Sequence, residues 1–117
     1  VGSNPSAGKA KPHRNTTMKR IERWAEDLQI SYDFCNVIPY HVDREDHKLV
    51  DQDRISSITK THNHILTLGK FAHDVLRKLN IAHYALPHPS PRNRQFNDKN
   101  FEKNTLKTLI TSGYLRT

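Results

Sequence analysis

Residues 86–94, LPHPSPRNR, bring three prolines, a histidine and two arginines together in nine positions. Pro87, Pro89 and Pro91 each fix φ and remove a backbone donor, which excludes a helix. The stretch is also too short and too poor in Gly and Ser for a flexible linker. His88 is therefore pinned between prolines, an arrangement poorly suited to packing and well suited to pointing one ring edge at a fixed spot. A donor aimed in this way can stabilise negative charge that builds up late in a reaction. Arg92 and Arg94 then add positive charge for an anionic partner. Read alone, the same segment is also a rigid turn with an incidental histidine, since turns favour proline.

Other chemistries fit less well. GSNPSAGKA (2–10) echoes the phosphate-loop pattern through Gly2, Gly8 and Lys9, but five residues separate the glycines instead of four. Ala10 stands where a magnesium-binding hydroxyl is needed, and Pro5 lacks an N–H that would cradle phosphate. The chain has eight histidines. His62 and His64 alternate and His41 and His47 share a segment, yet no spacing matches a zinc pattern, so scattered surface histidines are expected and no metal. The one cysteine, Cys35, excludes an internal disulfide framework and reads as a small buried hydrophobe.

These residues need a scaffold. The length of 117 residues predicts a single domain, 1–117, and the formal charge of +7 points to a polyanion. No apolar run approaches a membrane span and nothing resembles a signal peptide, so an intracellular protein without membrane contact is expected, cytoplasmic or nuclear. The segment TTMKRIERWAEDLQI (16–30) sets Met18, Ile21, Trp24, Ala25 and Leu28 on one helical face. Lys19, Arg20, Glu22, Arg23, Glu26 and Asp27 fall on the other. YDFCNVIPY (32–40) reads as a buried strand, 41–53 as a polar surface loop and 54–63 as weakly helical. HILTLG (64–69) reads as a strand turning at Gly69 into a helix over 70–80, and IAHYALP (81–87) as another strand. A last helix over 98–115 places Phe101, Leu106, Leu109 and Ile110 on one face and stops at Gly113. Alternating strands and helices predict an α/β fold, a three-layer α/β/α domain around a short parallel sheet of about four strands. Its first strand is expected to be truncated or to lie upstream of Val1. In this class sites gather at the carboxyl ends of strands, where 2–15, 36–41 and 87–94 fall.

HPSPRN (88–93), with GSNPS (2–6) upstream and FCNVIPY (34–40) between them, resembles the uracil-DNA glycosylase superfamily. The chain is most similar to its single-strand-selective monofunctional branch, whose two motifs read G-x-N-P-G and H-P-S-P-R-N-P. ILTLGKFAHDVL (65–76) looks like that superfamily's third strand and following helix. The resemblance implies a DNA glycosylase that hydrolyses the N-glycosidic bond of uracil or a C5-modified uracil by base flipping and water attack. DNA, single-stranded or duplex, is then the partner, the protein is a monomer, and no metal or organic cofactor takes part.

Carried over residue by residue, Asn4 matches the residue that positions the attacking water, and His88 the donor to uracil O2. Asn36 looks like the asparagine that reads uracil N3–H and O4, an edge inverted in cytosine. Ser90, Pro91, Arg92 and Asn93 match the rigid DNA-gripping loop, with Arg92 the wedge into the base stack, and Arg94, where the motif has proline, is expected to contact a DNA phosphate. This sequence also departs from the fastest branch of the family. Asn4 replaces a carboxylate, Ser6 replaces a tyrosine that screens the uracil C5 position, and the segment after the first motif offers only His13 as a ring. Phe34 is the candidate base-binding aromatic in its place. The departures imply an alternative, a catalytically weak or inactive glycosylase-fold subunit that binds DNA or protein.

Overall fold

A computed structural model of the chain describes residues 1–2, 16–40, 42–89 and 93–115. Its helices are α1 (Thr16–Leu28), α2 (Gln52–Lys60), α3 (Lys70–Lys78) and α4 (Lys99–Ser112), and its strands are β1 (Leu66–Leu68) and β2 (Tyr84–Leu86). Short 3₁₀ turns occupy His47–Leu49 and Arg94–Asn97. The described residues divide into two compact units. The first holds Val1, Gly2 and Phe34–Pro87, and the second holds α1 and the residues from His88 onward.

The first unit is α/β. β1 and β2 pair in parallel, with Leu66 opposite Tyr84 and Leu68 opposite Leu86, and α3 is the crossover between them. The β1-to-α3 turn falls at Gly69, whose φ of 87° is costly for a residue with a Cβ, as the sequence predicts. Val1 donates to the Leu66 carbonyl (2.6 Å) and accepts from Leu68 N–H (2.8 Å). Gly2 donates to the Cys35 carbonyl (2.9 Å) and accepts from Val37 N–H (3.0 Å). Main-chain hydrogen bonds therefore join residues 35–37, residues 1–2, β1 and β2 side by side. The core is Val37, Ile38, Ile55 of α2, Ile65, and Val75 and Leu76 of α3, with Val1 and Cys35 packed against it. Asp51 starts α2 by accepting from Arg54 N–H (3.1 Å).

The segment 32–40 differs from the buried strand expected of it. Its ladder pairing is confined to the Gly2–Asn36 bridge, and Tyr32, Phe34 and Tyr40 are exposed while Val37 and Ile38 are buried. The Val37 carbonyl accepts from Asp51 N–H (3.1 Å) at the start of α2, and Pro39 has no N–H to add to a ladder. The region 54–63 is more regular than its propensity predicts, because Asp51 caps the helix and Ile55 anchors it in the core.

Two histidines tie α3 to the approach to β2. His83 Nδ1 lies 2.7 Å from the Ile81 carbonyl and His83 Nε2 lies 2.7 Å from His73 Nδ1. A carbonyl only accepts, so His83 carries its proton on Nδ1, and His73 Nδ1–H is the donor between the rings.

In the second unit Ile21, Trp24 and Ala25 of α1 are buried, as is Leu109 of α4. Asp98 caps α4 through Asn100 N–H (2.8 Å), and Gly113 ends it with φ 76°, at the position expected from the sequence. Ile110 departs from its predicted role: it is 49% exposed. The covered stripe of α4 instead follows Glu102, Leu106 and Leu109 at i, i+4 and i+7, one position aside.

Thr67 generates a stability test. It alternates with Leu66 and Leu68 and so shares the core face with Ile65, where it is fully buried and its hydroxyl has no partner among the described residues. Thr67→Val keeps the shape and removes the unsatisfied oxygen, and should raise stability by about 1 kcal/mol. The check is the urea midpoint at unchanged slope; a lower midpoint would show that the hydroxyl is bonded.

Candidate functional site

Phe34 and Asn36 stand two residues apart on an extended segment and so point to the same side. Both close over Gly2: a Cβ there would lie 2.5 Å from Asn36 Oδ1 and 3.1 Å from Phe34 Cζ. A Cβ at this position would push both side-chain ends aside. The Arg54 guanidinium donates to the Asn36 carbonyl and also lies 3.9 Å from Asp51, so the backbone under the amide is held from α2. Asn36 is half-buried and Phe34 is 37% exposed. An amide with a fixed backbone beside an open aromatic ring offers a planar heterocycle a donor, an acceptor and a stacking face.

His88, the second residue after β2, opens the proline loop in the second unit. Asn93 closes that loop. Its Nδ2 donates to the His88 carbonyl (3.0 Å), and its Oδ1 accepts from Gln95 N–H (3.2 Å) to start the following 3₁₀ turn. Pro89 is fully buried, and its carbonyl accepts from Arg20 Nη1 at 3.1 Å. His88 itself is half-buried and Arg94 is exposed.

Arg20 is held in turn. Its guanidinium lies 4.7 Å from the centre of the Phe96 ring, which packs against Trp24 and Phe101. Its Nε is 3.9 Å from Glu102 Oε1, an oxygen that also accepts from Trp24 Nε1 (2.7 Å) and Arg23 Nη2 (2.5 Å). Burial, the largest single influence on Glu102, pushes its carboxyl up. The hydrogen bonds from Trp24 and Arg23, with the charges of Arg23 and Arg20, outweigh it and hold the group below its ordinary value.

The expected site residues are distributed as follows. Asn36 and Phe34 lie together in the first unit, and His88, Asn93 and Arg94 lie in the second. Asn4, Ser6, Ser90, Pro91 and Arg92 lie outside the described residues, as do His13 and most of the phosphate-loop look-alike. Among the described residues no three His, Cys, Asp or Glu side chains gather to hold a metal. Arg20, Arg54 and Glu102 are positioning groups that the sequence reading missed. Arg20, assigned to the outward face of α1, is only 17% exposed at its side chain. Its spacing of four from Trp24 was the available signal. Comparison with protein-family models, curated proteins and solved structures finds no match to this chain.

Two outcomes follow from this geometry. Gly2→Ala must displace the Asn36 amide and the Phe34 ring, both at side-chain ends that can move. Stability should fall by no more than about 1 kcal/mol while the Asn36 side-chain amide resonance shifts. An unmoved resonance would refute the close approach. Glu102 has a folded pKa below its unfolded value of 4.5, so its contribution is complete above that value and is lost as pH falls through the folded one. Urea midpoints compared between roughly pH 3 and 7 should drop on acidification in wild type, and less steeply in Glu102→Gln.

Proposed function

We propose that the chain is a monofunctional DNA glycosylase for uracil or a C5-modified uracil. It would be one three-layer α/β/α domain whose parallel sheet has about four strands, residues 35–37 and 1–2 extending the β1–β2 pair. The observation that carries the reading is the HPSPRN sequence, whose described residues are held by Asn93 on the His88 carbonyl and Arg20 on the Pro89 carbonyl. The Phe34–Asn36 pair over Gly2 supports it independently, since it presents the groups a flipped pyrimidine needs.

In this mechanism the target base leaves the stack, which costs a few kcal/mol in duplex and less in a single strand. Asn36 reads the base edge and Phe34 offers it a face. As the bond from sugar C1′ to base N1 breaks, negative charge collects on the base and His88 donates to O2. Water held by Asn4 adds to C1′ and its proton passes through solvent to the departing base anion, so an abasic site and a free, neutral base result. The net charge of +7 draws in the phosphate backbone without regard to sequence. A DNA substrate places the protein inside the cell.

The test is incubation with uracil-containing single-stranded DNA, followed by alkali to cleave abasic sites. Strand cleavage is expected from wild type. His88→Ala should slow single-turnover release about a hundredfold or more, with DNA affinity and folding retained. DNA binding with no release by wild type would instead establish the alternative, a binding subunit on the same fold. Release unchanged in His88→Ala would remove the histidine from the chemistry.

A further inference from the structure

Prolines create a shortage of donors around His88. With Pro87, Pro89 and Pro91 in place, alternate main-chain N–H groups are missing, so donors must come from side chains, as Asn93 Nδ2 does for the His88 carbonyl. The Pro89 carbonyl belongs to a fully buried residue, where an unpaired acceptor is costly. Arg20 supplies the donor from α1, 69 positions away in sequence. A planar guanidinium suits this position because it meets three partners at once: the Pro89 carbonyl by Nη1, Glu102 by Nε, and the Phe96 ring by its face. Arg23 shares Glu102, but its own side chain is 56% exposed.

We infer that Arg20 is the positioning residue of the His88 loop, holding the Pro89 carbonyl so that the neighbouring imidazole keeps one orientation, with Glu102 and Phe96 keeping Arg20 in place. As a statement about base release, this rests on the glycosylase reading; as a statement about the loop, it does not. Lysine at this position retains the positive charge but not the fork or the flat face. Arg20→Lys therefore separates positioning from attraction of DNA.

The experiment uses the whole chain labelled at histidine, and measures the His88 ring resonances, affinity for a uracil-containing single strand and single-turnover release. Arg20→Lys should shift or broaden the His88 resonances and slow release about tenfold at saturating DNA, with Kd within about twofold of wild type. Lys19→Ala, which removes a charge from an exposed position of α1, should leave His88 and release unchanged. Should Arg20→Lys fail to unfold cooperatively, Glu102→Gln decides, with the same His88 shift and a smaller loss of release expected. His88 resonances unmoved in the folded variant would overturn the inference, as would a loss that falls wholly on Kd. If wild type releases no base, the resonances still decide the positioning role, so the two readings fail separately.

Discussion

The first unit depends on a two-residue segment whose main chain bonds on both sides. Val1 turns its N–H and carbonyl to β1, and Gly2 turns its own to residues 35 and 37. That alternation is the ordinary geometry of a parallel ladder, and it fixes which side chains share a face. Val1, Cys35, Val37, Ile65 and Thr67 fall toward the core, so Gly2, Phe34 and Asn36 fall on the opposite face. A slip of one residue would bury the amide and expose Val37. The chemistry-bearing face is therefore set by backbone pairing, and Gly2, lacking a Cβ, lets the amide and the ring close over it.

The two units solve one problem in the same way. In each, a carbonyl next to a candidate site residue is held by an arginine from a helix distant in sequence, Arg54 on Asn36 and Arg20 on Pro89. Backbone oxygens at the ends of short strands have no ladder partner, and those in the proline loop have few local donors. A guanidinium satisfies them and keeps its charge within 4 Å of an acid, Asp51 in one case and Glu102 in the other. The carbonyls beside Asn36 and His88 are thus held without a long ladder.

Most of the regular structure was legible in the sequence because periodicity and punctuation agree. Gly69 and Gly113 stand where the chain turns or stops, and Trp24 marks the buried stripe of α1. The failures have one cause, the assumption that charge faces water and that aromatic, β-branched runs are buried. Glu102 lies on the covered stripe of α4 because Trp24 and Arg23 donate to it and Arg20 adds a nearby charge, and Arg20 is covered because Pro89 needs it. Phe34 and Tyr40 are exposed because Cys35, Val37 and Ile38 are the residues of their run that reach the core. Proline spacing singled out His88 and resemblance Asn36; no pattern of hydropathy would have chosen them.

The same arginines refine what the charge of +7 means. Arg20 and Arg23 face Glu102, and Arg54 faces Asp51. Together these groups carry one net positive charge, so nearly all of the +7 lies elsewhere on the chain. An ion pair projects little field beyond a Debye length, whereas unpaired surface cations sum. Attraction for a polyanion and the shaping of the site therefore fall to different residues. On the glycosylase proposal the exposed lysines and Arg94 are the residues that would draw in DNA, whereas Arg20 and Arg54 hold backbone carbonyls. A count of basic residues measures the first role alone, because the second depends on which carbonyls the fold leaves without a donor.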